Sequence, residues 1–154
     1  MTVPSLLGEW ALRVSLVACL FELGGSLYEY IVVDTVWPAN VALIQPGSGG
    51  MNRKNFWAPL HGVLTLALLL ALWACWGAPD VRSWLLAAVA LYVVIRAWTF
   101  AYFIPRALAF EQGLTTEPAR ARTWVRWSLL RAPLLLAATF CVWRASEGLA
   151  RLGA

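Results

Sequence analysis

Apolar residues fill this chain in four long blocks, and polar residues interrupt those blocks at a handful of positions. The blocks run from about Ala11 to Val36, Trp57 to Trp76, Val81 to Ile104 and Thr123 to Ala145. Each is about 20 residues or slightly more, the length needed to cross a hydrocarbon core of roughly 30 Å at 1.5 Å per residue. The pattern therefore predicts an all-α integral membrane four-helix bundle, a single transmembrane domain over residues 1–154 with no room for a separate soluble domain. Trp37-Pro38 ends the first helix, and the following segment, Ala39 to Asn55, carries Pro46, Gly47, Gly49 and Gly50, which break regular helix. Its first part, Val41-Ala-Leu-Ile44, is apolar. A long, partly apolar first loop is expected to lie on the bundle mouth or the membrane interface, and is long enough to act as a lid.

The remaining connections are short. Gly77-Ala-Pro-Asp80 predicts a tight turn with Asp80 as cap of the third helix, which makes helices two and three antiparallel neighbours. Pro105 is placed to end or kink the third span, with Arg106 to Gln112 as a helical extension. Thr115-Thr-Glu-Pro118 has the makings of a helix start with a hydroxyl cap. Pro133 predicts a bend in the last helix. Glu9 and Arg13, one turn apart, are expected to pair.

The polar interruptions matter most within the blocks. Glu22 and Glu29 lie two turns apart on one helical face with Gly25 and Ser26 between them. A carboxylate in a bilayer costs roughly 2.5 to 3.5 kcal/mol at a helix centre and therefore faces a partner or a polar cavity. Alternating helix directions bring the end of helix one, the start of two, the end of three and the start of four to one side. Counting 1.5 Å per residue, Glu29 and His61 fall roughly 5 to 10 Å inside that side, and Arg96 and Arg131 about 12 Å inside, with Glu22 slightly deeper. Two acids against two arginines sum to zero, which suggests buried ion pairs. His61, the only histidine, adds a group able to serve as acid, base or metal ligand.

Composition narrows the classes. The chain is 61% hydrophobic and 13% charged, against about a quarter charged in soluble domains. The net charge of +4 comes mostly from arginines at helix ends and in loops. Arg53, Lys54, Arg106, Arg120, Arg122 and Arg126 on one side outnumber Arg13, Arg82, Arg144 and Arg151 on the other, which favours cytoplasmic first and third loops. No basic and aromatic platform lies outside the apolar blocks, so nucleic-acid binding is not expected. Cys19, Cys75 and Cys141 sit in three different blocks and read as buried free thiols. Leu16-Val-Ala-Cys19 resembles a lipoprotein cleavage box, but Glu9 and Arg13 leave too short an uncharged stretch before it. A retained first span, with no cleaved signal peptide, in a bacterial-type inner (plasma) membrane is the expectation.

Haem held by two histidines is excluded and a histidine-rich di-iron site disfavoured by the single histidine. A metal on His61, Glu22 and Glu29 would compete with the arginines, so no metal or other cofactor is expected. No phosphate loop or nucleophile motif occurs. Arginines suit an anionic or phenolate-like ligand, and Trp, Tyr and Phe walls a flat hydrophobic one.

Phe56-Trp-Ala-Pro-Leu-His61 opening the second helix, Phe103-Ile-Pro105 closing the third, and Trp124-Val-Arg-Trp127-Ser-Leu-Leu-Arg131 in the fourth, on four short spans with a long first loop, resemble the anthrone-oxygenase-like family of small membrane proteins. That family tends to end its third helix in Pro-x-Asn, whereas here Pro105 is followed by Arg106 and Ala107. The resemblance implies oxidation of an activated aromatic substrate by molecular oxygen without a bound metal or flavin. His61 or Glu29 would then be the base and Arg96 or Arg131 would hold the oxyanion. Glu22, Tyr92 and Trp127 are the expected substrate-binding residues. The alternatives are a non-catalytic subunit of a membrane complex, with other membrane subunits or further copies of the chain as partners, and a small-molecule or proton carrier using Glu22 and Glu29 as relay sites.

Overall fold

The computed structural model of the protein describes residues 6–153. Six α-helices follow in order: α1 (Leu6–Tyr28), α2 (Lys54–Ala74), α3 (Pro79–Trp98), α4 (Ile104–Glu111), α5 (Pro118–Leu129) and α6 (Arg131–Gly153), with no strand among the described residues. Short π-helical turns, Glu29–Val33 and Thr99–Phe103, extend α1 and join α3 to α4. The result is four rods, Leu6–Val33, Lys54–Ala74, Pro79–Glu111 and Pro118–Leu152, each long and apolar enough to cross a membrane. They match the four blocks of the sequence.

The rods close a four-sided bundle in which α1 packs on α2 and α6, and α3 on α6 and α2. Small residues (Ala11, Ala18, Cys19, Ala71, Ala88, Ala145) interleave with Leu12, Leu64, Leu68, Leu85 and Val142 in its core, and small side chains at the seams let helix backbones approach closely. The outer face is apolar as well. Phe21 is 61% exposed, and Leu66 and Trp73 are each 71% exposed, the reverse of a bundle made for water.

Rod length explains the first loop. The second rod has 21 residues against 33 and 35 in the third and fourth, or about 32 Å against about 50 Å at 1.5 Å per residue. The surplus of the long rods leaves a step above the start of α2, and the first loop fills it. Residues 34–53 wind through three 3-10 turns, Trp37–Ala39, Val41–Ile44 and Pro46–Ser48. Trp37 and Ile44 are fully buried there against Phe103, Phe110, Ala121 and Trp124. Gln45 donates to the Phe110 carbonyl at 2.9 Å, and Lys54 pairs with Glu111 at 2.8 Å. Gly50 is required by the winding, since a Cβ there would fall 2.3 Å from the Ala42 carbonyl oxygen. The apolar run Val41–Ile44 thus anchors a packed cap on the bundle mouth.

Proline places the helix boundaries. Asp80 does not cap α3: Pro79 takes the first helical position after Ala78, for which its fixed φ suits it, and Asp80 falls inside the first turn, where its charge meets the helix N-terminus. Likewise α5 starts at Pro118 after Glu117, and Thr115 caps nothing. Pro133 offers no N–H to the Leu129 carbonyl and crowds it, so the last rod divides at Leu130. The π turn Thr99–Phe103 precedes Pro105 and absorbs the same mismatch. The expected extension after Arg106 is α4, and Glu9 pairs with Arg13.

At the base of the cap Asp34, 6% exposed, accepts the Trp37 indole N–H at 2.7 Å through Oδ1, while Oδ2 has no partner. Burial pushes its carboxyl up from 3.8 to about 6, aided by Glu29 and opposed by Trp37, Arg53 and Arg131. The folded state therefore holds this proton more tightly than the unfolded chain. That contribution to stability is fully present below pH 3.8 and is lost as pH rises through about 6. Asp34→Asn, which keeps the acceptor for Trp37, should gain on the wild type by roughly 2 kcal/mol between about pH 4 and pH 7. Thermal melts of both proteins across that range check it, and a constant difference would contradict it.

Candidate functional site

Three helices each turn one polar side chain into the core at the same level. The buried stripe of α1 reads Ser15, Ala18, Cys19, Glu22. The stripe of α2 (Leu64, Ala67, Leu68, Ala71) is extended one turn toward its start by His61, and that of α3 reads Val81, Leu85, Ala88, Tyr92. Each polar residue therefore occupies a position that helical periodicity reserves for the interior.

His61 Nδ1 lies 2.6 Å from Glu22 Oε1, and Glu22 is 2% exposed. The Tyr92 hydroxyl is 3.3 Å from both Glu22 Oε1 and the His61 carbonyl oxygen, and Thr65 donates to that same carbonyl at 2.7 Å. Trp57, one turn before His61 on α2, stacks on the imidazole with centroids 5.5 Å apart and planes at 23°. Its indole N–H donates to Glu29 Oε1 at 2.9 Å. Glu29 thus fixes Trp57, and Trp57 covers one face of the histidine. An ionised carboxylate only accepts, so with Glu22 charged the proton of a neutral His61 sits on Nδ1 and Nε2 keeps its lone pair. Nε2 has no hydrogen-bond partner among the described residues.

The arginines stand apart from this group. Arg131 donates to Thr99 Oγ1 at 3.2 Å and stacks over Phe103 at 4.1 Å, while Arg96 stacks over Phe100 at 4.7 Å. Arg131 lies within electrostatic reach of Glu29, Asp34 and Arg96, yet among the described residues no carboxylate is at ion-pair distance from Arg96 or Arg131. The expected Glu–Arg ion pairs are therefore not formed. His61 takes Glu22, Trp57 takes Glu29, and aromatic faces take over part of the compensation of the guanidinium charges. Arg131 Nε and Arg96 Nη1 are buried without a hydrogen-bond partner. Two neighbouring guanidinium groups with unused donors have the chemistry of an anion clamp.

Of the sequence candidates, Glu22, His61 and Tyr92 come together, Glu29 joins them through Trp57, and Arg96 sits one turn beyond Tyr92 on α3. Trp127 does not line the site. It is 47% exposed and packs on Trp98 and Tyr102 on the outside of the bundle. Trp57 was the residue that pattern reading passed over, although its spacing of four from His61 puts both on one face. The π turns beside Glu29 and Thr99 had no sequence signal of their own; such turns are frequent at functional sites. Among the described residues no three His, Cys, Asp or Glu side chains gather as metal ligands, and the three cysteines are buried and free.

No protein-family model, curated protein or solved structure matches the chain.

Glu22 and His61 should be energetically coupled. A double-mutant cycle with Glu22→Ala and His61→Ala, read by reversible unfolding in mixed micelles, should give an interaction of about 1–3 kcal/mol, and Tyr92→Phe should cost less than either single truncation. Additive effects of the two truncations would contradict the pairing.

Proposed function

We propose that the chain is an integral membrane enzyme that removes a proton from a hydrophobic aromatic substrate of phenol or anthrone type, with His61 as general base. The observation that carries this reading is the 2.6 Å contact between His61 Nδ1 and the buried Glu22 carboxylate, which leaves Nε2 free. A carboxylate behind an imidazole fixes its tautomer and stabilises the imidazolium that forms once a proton is taken. The apolar outer face of the four rods supports placement in a bilayer, where such a substrate concentrates.

The two arginines complete the chemistry. Deprotonation of a phenol or an anthrone leaves negative charge on oxygen, and fixed cationic donors in a dry site stabilise it far more than they would in water. Arg96 and Arg131 have the unused N–H groups for this. Glu29 is the positioning residue that holds Trp57 against the imidazole. The family resemblance supplies the oxidant. When a ring methylene becomes a carbonyl, one molecule of oxygen is consumed, one of its atoms enters the product, and the other leaves as water with the two hydrogens lost.

His61→Gln should lower kcat by about 10²- to 10⁴-fold, the usual worth of a positioned base, in protein reconstituted in lipid and supplied with anthrone, followed by oxygen uptake. Arg131→Met should lower kcat/KM by a factor on the order of 10². Full turnover in either variant would remove that residue from the mechanism.

A further inference from the structure

On the outer face of the bundle, between α1 and the start of α2, lies a cavity of about 380 Å3 lined by Gly24, Gly25, Tyr28, Phe56 and Trp57. Its size falls within the range of small-molecule pockets, roughly 300 to 1,000 Å3. Tyr28 is 60% and Phe56 46% exposed, so the cavity opens on the apolar outer face of the rods. One wall is glycine backbone, without side chains, and the facing wall is aromatic. Phe56 and Trp57 meet edge to face at 4.9 Å.

The inner wall of this cavity is also part of the site. The Trp57 ring that borders it stacks on His61, and the indole N–H is already committed to Glu29. The cavity therefore ends on the aromatic plate covering the base. Gly25 sets its shape: a Cβ there would lie 2.7 Å from the Phe56 ring and 3.2 Å from Trp57. At Gly24 a Cβ would meet nothing within 4 Å, because that glycine faces the empty space.

We infer that this cavity is the lateral portal through which a planar apolar aromatic molecule passes from the lipid phase to His61, with Trp57 as the gate. The occupant is set by the walls. A slot with a flat backbone face on one side and aromatic rings on the other rewards stacking and edge contacts, which an acyl chain does not make. Continuity with the histidine through one shared ring separates the slot from a chance groove. The ligand class follows the proposed function, while the location of the portal depends only on the geometry.

The test is binding of 1-aminoanthracene, a flat fluorescent probe, to the full chain in lipid nanodiscs, with empty nanodiscs as baseline. Saturable binding is expected, weakened at least tenfold by Gly24→Leu and by a smaller factor by Gly24→Ala. Gly62→Leu, at another glycine where a Cβ meets nothing within 4 Å, should bind as wild type. Unchanged binding in both Gly24 variants, an equal loss in Gly62→Leu, or displacement of the probe by a saturated fatty acid as effectively as by unlabelled anthracene would overturn the portal. Loss in the Gly24 variants alone upholds it even where no variant or wild type shows turnover, which would count against the enzyme reading only.

Discussion

The contact between Glu22 and His61 is the constraint from which the rest of this bundle follows. A carboxyl group at 2% exposure in an apolar core is tolerable only with hydrogen-bond donors at hand. Meeting that requirement fixes α1 against α2 at the level of His61 and brings Tyr92 of α3 to the same point. Three of the four rods are thereby registered on one polar centre, while the small residues along their seams set how closely they pack. With Glu22 charged and His61 neutral, the same contact leaves the lone pair on Nε2.

Charge is compensated here largely without ion pairs inside the bundle. Arg131, Arg96 and Arg53 lie over the rings of Phe103, Phe100 and the Trp37–Trp124 pair, and Glu29 and Asp34 accept from indole N–H groups. At Arg96, Arg131 and Glu29, aromatic faces and an indole donor thus stand where ion-pair partners were expected. N–H groups of Arg53, Arg96 and Arg131 and the Oδ2 of Asp34 are left unused.

The fold was largely legible in the sequence because length and hydropathy act through one strong requirement, that apolar segments span and close on one another. Four blocks became four rods, and the apolar run Val41–Ile44 pointed to the bundle mouth or the membrane interface, of which the structure shows the first. Boundaries set by proline were read less well, as Asp80 and Thr115 show, because the first helical position suits proline better than the neighbouring side chains suit capping. Depth counting brought Glu22 and His61 near one level, together with Glu29, Arg96 and Arg131, and the structure adds Tyr92 to the first two. It could not choose partners, since that depends on rotation of each rod about its axis. Glu22 was assigned to an arginine and met a histidine. Trp127, expected to bind substrate, is 47% exposed on the outside of the bundle. The π turns beside Glu29 and Thr99 re-aim side chains with no sequence mark that periodicity reveals.

The central claim is that His61 presents an unprotonated Nε2, with its proton on Nδ1 toward Glu22. Because the chain has a single histidine, 15N labelling of histidine alone gives a spectrum that needs no further assignment. Solid-state NMR of this protein, with glutamate labelled in 13C as well, in lipid should show one protonated ring nitrogen, coupled to a glutamate carboxyl carbon, and one bare ring nitrogen. A proton on Nε2, either alone or as part of an imidazolium, would contradict the account, because the proposed base would then have no site at which to accept a proton.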